Sequence, residues 1–458
     1  MITTNVPSIV EEEKGIYPPI GLMSVAAYVE KHTEHKIEIL DISLEKISYD
    51  VLENEIKKRK PDVVGIQTMT FTLIDVILTA KTVKKVDREI KVILGGPHVN
   101  IYPEESIQIP EVDYLVLGEG EIPFTELIHN IESKEKLRKT KGIVLKENGK
   151  IINTRPRELI EDLDVLPFPA RHLTHYKKYY SLLAKRSPVT TMITSRGCPY
   201  KCLFCDRPHL GKKFRTRSAI NVVDEMRECV DMGIKEFFIY DDTFTIDRQR
   251  VIDICDEIKN RQLDVGWDIR ARVNNVDKKL LKKLKNAGCE RIHYGVESAD
   301  PRILKILRKG ITIKQVENAF KWTKEVGITT LAYFIMGSPS ETKKEILHTI
   351  EFAKKLDPDF VHLSIMTPFP ATDLYYIGLK KGILKTDYWR EFAKNPNPNF
   401  VPELWEENLS RAELIELLRY AYKSFYTRPI YILRSMLKVR SLEEFKRKAK
   451  AGLKVFKF

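Results

Sequence analysis

Residues 188–206 read PVTTMITSRGCPYKCLFCD, and this stretch decides the fold. Its β-branched and apolar start, residues 190–194, predicts a strand. The loop that follows spaces Cys198, Cys202 and Cys205 as C-x3-C-x2-C. Three thiols crowded at a strand end can wrap a cofactor, and thiolates are the ligands of iron–sulfur clusters. Three thiolates on a four-iron cluster leave one iron without a protein ligand. Such an open position is what binds a reacting molecule, as at catalytic zinc sites. Zinc itself would want a fourth Cys or His, and His209 is the local candidate. The strand-end position and Phe204 before the last cysteine favour the cluster.

Downstream, strand and helix patterns alternate through residues 188–372. Strands are predicted at 190–194, 236–240, 266–269, 291–295, 330–336 and 361–366, with helical patterns such as 219–232 and 278–286 between them. Six such units predict a partial (β/α)6 barrel with its chemistry at the carboxyl ends of the strands. Upstream, residues 1–135 alternate in the same way. Strands are predicted at 36–41, 62–68, 91–96 and 113–118, and helices near 20–33, 49–60, 73–87 and 121–132. That order predicts an α/β, doubly wound, Rossmann-like domain that binds ligands beyond its strand ends. Residues 136–187 read as a linker containing a hairpin at Asn148-Gly149 and an extended stretch through Leu166, Pro167, Phe168 and Pro169. Residues 373–458 read as a helical C-terminal region.

The bulk numbers agree with an ordered, multidomain chain. It has 458 residues, 43% hydrophobic and 31% charged, with a net charge of +13. No apolar run is long enough to span a membrane, and the start has no secretory pattern, so a cytoplasmic location is expected. Six cysteines do not make a disulfide scaffold, and Cys229, Cys255 and Cys289 read as small buried hydrophobes. From Arg434 onward there are nine basic residues and two acidic ones, interleaved with Leu, Val and Phe. This tail raises a non-catalytic alternative, a basic membrane- or nucleic-acid-binding protein. It suits association with an anionic membrane surface, and nucleic acid is not an expected partner.

The C-x3-C-x-aromatic-C motif after the first barrel strand resembles the radical S-adenosylmethionine (SAM) superfamily. The resemblance implies that the free iron chelates the amino and carboxylate groups of SAM. One electron then splits SAM into methionine and a 5′-deoxyadenosyl radical, which takes a hydrogen atom from the substrate. SAM contacts are expected from Phe204 in the cluster loop. Asp241 and Asp242 follow at the second strand end, where the family often has Gly-Gly-Glu, although a strand-end acid can also simply cap the next helix. Arg270 and Arg272 stand at the third strand end and Glu297 and Ser298 at the fourth. Gly337 lies in FIMGSPSET (334–342), which resembles G-x-P-G-E-T with Ser340 where glycine is usual. MTPFPAT (366–372) resembles P-x-P-G-T with Ala371 in place of glycine. GKKFRTRS (211–218) resembles the segment after the cluster loop in cobalamin-binding members.

The N-terminal region resembles the cobalamin-binding domain fused to many of these enzymes, through residues 17–32, 65–71, 93–105 and 117–124. Expected cobalamin contacts are Asp41, Thr68, Thr70, Gly95, Gly96, Pro97, His98, Gly118, Glu119, Gly120 and Glu121. The Asp-x-His-x-x-Gly motif that supplies a lower cobalt ligand is absent; residues 41–46 read DISLEK. The resemblance implies three cofactors: a [4Fe–4S] cluster, SAM and cobalamin. It implies a cobalamin-dependent methyltransferase acting on an unactivated carbon, in which one SAM methylates cobalt and another yields the radical. Cyclisation, rearrangement or carbon–carbon bond formation, including on a lipid, are the alternatives within the class. Methylthiotransferases carry cysteines in their N-terminal domain, and none precedes Cys198 here. The expected partners are a reductant and a small-molecule, lipid or protein substrate.

Overall fold

Apolar strand runs build two sheets, one parallel throughout and one parallel over its first three strands. The computed structural model describes residues 1–3, 15–181, 183–206 and 212–437. In the N-terminal half, β1 (Val63–Gln67), β2 (Lys91–Gly95) and β3 (Tyr114–Val116) are parallel. The helices α1 (Ile20–His32), α2 (Tyr49–Arg59), α3 (Leu73–Val86) and α4 (Glu121–His129) accompany them. The hairpin at Asn148-Gly149 forms β4 (Ile143–Glu147) and β5 (Lys150–Asn153), with φ of 49° and 75° at its two turn residues. Two left-handed residues match the twist of the strands they join. This hairpin does not lie in a free linker: β4 pairs antiparallel with β3 and extends the sheet to residue 153, which corrects the boundary expected at 135.

The strand expected at 36–41 shrinks to a single bridge at Leu40. Ile2 bridges both Leu40 and Ile66, and its amide donates to the Gly65 carbonyl at 2.9 Å.

The second sheet is the expected partial barrel. Its strands β6 (Val189–Met192), β7 (Glu236–Ile239), β8 (Gly266–Ala271), β9 (Cys289–Glu297), β10 (Thr329–Met336) and β11 (Phe360–Ile365) are parallel and in sequential order. Between them run α5 (Ala219–Asp231), α6 (Arg248–Asn260), α7 (Lys278–Asn286), α8 (Ile313–Glu325) and α9 (Lys343–Leu356). Each starts on a side chain that accepts an otherwise orphaned backbone N–H: Ser218, Asp247, Asp277, Thr312 and Thr342. Alternation in the strands separates two environments. In β10, Ala332, Phe334 and Met336 are buried against the helices, whereas Leu331, Tyr333 and Ile335 face the lumen partly exposed. Cys229, Cys255 and Cys289 are all fully buried.

The C-terminal helices are α10 (Asp373–Lys381), α11 (Tyr388–Lys394), α12 (Arg411–Tyr426) and α13 (Pro429–Leu437). They serve both halves. Leu414, Leu417, Ala421 and Phe425 of α12 join the barrel core, while Tyr388, Trp389 and Phe392 of α11 join the core around β1 and β2. Tyr422 and Tyr426 cap the free edge of β11, each hydroxyl donating to and accepting from the backbone of Leu363 or Val361 at 3.0–3.1 Å. Among the described residues no helix is long and apolar enough to cross a membrane. The basic tail from 438 onward, His209 and the start of the 211–218 segment lie outside the described residues.

Candidate active site at the strand ends

The cysteine loop leaves β6 between two short antiparallel strands, Ser195–Arg196 and Arg215–Thr216. It is stitched down at its middle. The Leu203 amide donates to the Leu307 carbonyl at 3.0 Å, and its carbonyl accepts from the Leu374 amide at 3.1 Å. Leu203 and Phe204 pack with Ile303, Leu307, Leu374 and Trp405. The Cys205 thiol is pushed up to about 12, by burial first and then by the nearby Cys202 and Asp242 charges. Burial raises the Cys198 thiol too, with the same neighbours contributing. Arg272 answers this crowding: its guanidinium lies 3.6 Å from Cys202 Sγ and stacks 3.8 Å from the Tyr200 ring centroid. Among the described residues no three His, Cys, Asp or Glu side chains gather around a single-ion position. The ligands of a cubane instead sit at separate corners, and three mutually sensed thiols beside one cation fit that donor set.

The remaining strand ends carry the other predicted residues. The two acids after β7 divide. Asp241 is buried and accepts from the Thr194 amide, Thr194 Oγ1 and Ser195 Oγ, each at 2.6 Å. Its carboxylate thus holds the root of the cysteine loop instead of facing open space. Asp242 is exposed and lies within electrostatic reach of Cys198 and Cys205. Neither caps α6, whose cap is Asp247. Glu297 sits at a register irregularity with φ of 69° and pairs with Lys309 at 2.6 Å. Lys309 was not foreseen, because nothing local in its sequence marks it. Ser298 Oγ lies 3.3 Å from Thr349 Oγ1. Gly337, φ 77°, turns the chain where a Cβ would meet Leu414 Cδ2 at 2.8 Å. Ser340 and Ala371, which replace the usual glycines, keep the left-handed conformation with φ of 59° and 61°. The chain accepts about 1 kcal/mol of strain at each to preserve these turns.

In the N-terminal half, the strand-end loops converge on one side. Gly96, φ 108°, lies so close to Thr68 that a Cβ would meet its carbonyl oxygen at 2.9 Å. Gly95 ends β2, and Pro97 opens the short helix Pro97–Ile101. Gly118, φ 74°, faces open space, and Gly120 packs near Val25. A glycine-lined rim of this kind fits the approach of a broad flat ligand. Several predicted side chains turn elsewhere. Asp41 accepts from Thr3 Oγ1 at 2.9 Å, the Leu44 amide at 3.2 Å and the Tyr179 hydroxyl at 2.8 Å. Thr68 is buried, and Thr70 Oγ1 lies 3.1 Å from His98 Nδ1. His98 is fully buried, and burial lowers its pKa to about 4.

Glu119 and Glu121 reach across to the barrel. Glu119 accepts from Arg196 at 2.8 Å, from Arg215 at 2.9 Å and from the Ile160 amide at 2.7 Å, while Glu121 accepts from Arg196 at 2.5 Å. The glycine rim is thereby gripped to the strand that leads into the cysteine loop. Glu119→Gln leaves Arg215 and Arg196 short of charge in a buried setting. It is expected to cost about 1–3 kcal/mol, read as a lowered denaturant midpoint. An unchanged midpoint would show the cluster to be neutral.

Comparisons with known proteins agree with this geometry. A family model for the radical SAM superfamily matches residues 192–353, and one for the B12-binding domain matches residues 8–128. The chain is 37% identical over 422 residues to an uncharacterized methyltransferase of Pyrococcus horikoshii, covering 92% of this chain and 90% of that protein. It is 30% identical to the anaerobic magnesium-protoporphyrin IX monomethyl ester cyclase of Rubrivivax gelatinosus, covering 92% and 76%. Its fold resembles that of the cobalamin-dependent SAM radical enzyme OxsB, with a TM-score of 0.75 at 19% identity, covering 97% of this chain and 69% of that one.

Proposed function

The chain belongs to the radical SAM superfamily, in its cobalamin-binding class, and from that premise we propose that it transfers a methyl group to an unactivated carbon of a small molecule. It is an enzyme that uses a [4Fe–4S] cluster, SAM, cobalamin and a reductant. When bound, the cluster and SAM supply a 5′-deoxyadenosyl radical and cobalamin carries the methyl group. One observation supports this reading most: Glu119 and Glu121 grip Arg196, two residues before Cys198, and so set the glycine rim against the cysteine loop. Two cofactors that must act on one substrate need that adjacency.

The protein's own residues have distinct tasks in this scheme. Cys198, Cys202 and Cys205 hold the cluster, and Arg272 offsets thiolate charge beside Cys202. Asp242 stands on the cysteine side, where a carboxylate attracts the SAM ammonium. Phe204 and the Glu297–Lys309 pair stand together on that side, with Lys309 over the Phe204 ring. The rim at Thr68, Gly96 and Gly118 supports the corrinoid through backbone atoms.

The test is anaerobic purification with iron, sulfide and hydroxocobalamin, followed by reduction with methyl-labelled SAM. The expected result is about one retained corrinoid per chain, label in the corrinoid fraction and 5′-deoxyadenosine. Retained corrinoid and 5′-deoxyadenosine with no label in the corrinoid would instead support ring closure or rearrangement, the activity class of the cyclase relative. A protein that retains no corrinoid would sink the methyl-transfer reading.

A further inference from the structure

Six strands do not close a barrel, and the lumen of this one is not packed shut. Its lumen-facing residues Arg270, His293, Tyr333 and Ser364 are only partly buried, and His362 is exposed. In a closed eight-stranded barrel the corresponding layers are filled by interlocking apolar side chains. Here the layer is polar and aromatic.

Most charge in this layer is already matched. Asp268 accepts from Arg291 at 2.7 Å and lies 3.3 Å from His293 Nε2. His293 Nδ1 lies 2.9 Å from the Tyr333 hydroxyl. Nearer the strand ends, Glu297 is matched by Lys309 at 2.6 Å. Arg270 is the exception. Its guanidinium lies 4.4 Å from the Tyr240 ring centroid, and among the described residues it makes no hydrogen bond or ion pair. A guanidinium in a partly desolvated, aromatic setting gains most from a planar or tetrahedral oxyanion that it can grip with two N–H groups.

The carboxylate of SAM is badly placed to be that anion. Chelated by the open iron of a cluster on the three cysteines, as the resemblance implies, its amino and carboxylate groups would lie beside those cysteines. Arg272 marks that end, 3.6 Å from Cys202 Sγ. Arg270 is two residues back along β8, about 7 Å deeper into the lumen at a strand's rise. The adenosine part of SAM carries no negative charge.

We infer that the lumen binds an anionic group of the substrate, a carboxylate or a phosphate, and that Arg270 is its partner. The inference rests on the radical SAM reading above and narrows its substrate class. The walls fit a planar body next to that anion. Tyr240, Tyr333 and His293 line the layer, and Tyr17 from the N-terminal half stands 6.2 Å from Tyr240, ring centroid to ring centroid. An uncharged lipid would bury the partly exposed guanidinium further and leave it unmatched.

The experiment uses the reconstituted holoenzyme with SAM bound and three probes of similar shape: phenyl phosphate, benzoate and the neutral benzyl alcohol. Binding is read by ligand-observed NMR. At least one anion should bind the wild-type protein more tightly than benzyl alcohol. Arg270→Gln should weaken that anion about tenfold or more, and Arg270→Lys should restore part of it, because a charged hydrogen bond is lost in one and kept in the other. Benzyl alcohol should not respond to either variant. Stronger dependence for phenyl phosphate assigns a phosphate, and for benzoate a carboxylate. Anions that bind no better than benzyl alcohol, or equally well to Arg270→Gln, would overturn the inference. So would a matching loss of SAM affinity in Arg270→Gln by equilibrium dialysis, since Arg270 would then serve the SAM carboxylate. The thermal midpoints of both variants show whether the barrel is intact. Iron and corrinoid are counted in the same wild-type sample, so a failed family reading shows there, separately from the probe results.

Discussion

With Cys198, Cys202 and Cys205 all changed to alanine, the anaerobically reconstituted protein is expected to fall from about four irons per chain to less than one. Reductive SAM cleavage to 5′-deoxyadenosine should vanish with the iron. The loop itself should survive, because Leu203 is tied to Leu307 and Leu374 through its backbone and Phe204 packs beside Trp405. Circular dichroism and the thermal midpoint of the metal-free protein are therefore expected to change little. Three crowded thiols are also relieved by the change, since burial and their neighbours already raise Cys198 and Cys205. Full iron retained in the triple variant would remove the cluster assignment. One zinc per wild-type chain in place of iron would do the same.

The largest stability effect is expected at Glu225. This carboxylate is fully buried between two arginines, accepting from Arg171 at 2.5 Å and from Arg217 on its other oxygen. Arg171 in turn donates to Thr190 Oγ1 and the Thr191 carbonyl, both at 2.9 Å, and so fastens the segment before the barrel to β6. Glu225→Ala leaves two buried guanidinium groups without their anion and is expected to cost about 3–5 kcal/mol. That is a large part of the stability of an ordinary domain, and urea unfolding would register it directly. A cost below about 1 kcal/mol would mean that water or another acid replaces Glu225. The two arginines also hold the Glu225 carboxyl below the usual carboxylate range, although burial alone would raise it. Its contribution is therefore complete above the unfolded value of about 4.3 and is lost as pH falls through the lower folded value. Wild-type stability should decline on acidification in that window, and the decline should be shallower in Glu225→Ala.

Much of the molecule was legible in local sequence. All six barrel strands and β1 to β3 lie where alternating apolar runs place them. The cysteine spacing marked the loop after β6, and Asn148-Gly149 marked the hairpin, because each signal depends only on a few adjacent residues. The hairpin's partner was not legible: β4 pairs with β3 across a helix-bearing connection, and nothing near residue 148 encodes that choice. The acids that read as cofactor contacts had partners the sequence does not display. Glu119 meets arginines 77 and 96 positions away, and Asp41 meets Tyr179, 138 positions away.

By itself, then, the sequence determined the two α/β units, the barrel order and the three thiols. Backbone stereochemistry and ligand chemistry act over short spacings, and those spacings survive in the bare string. Only the tertiary structure decided which charges are matched. It shows Asp241 holding the cysteine loop, α11 packing into the N-terminal core, and Arg270 beside Tyr240 with no counter-ion among the described residues. The pairing of a charge is settled by segments that folding brings together from far along the chain, and at burial a partner's presence or absence outweighs any local preference.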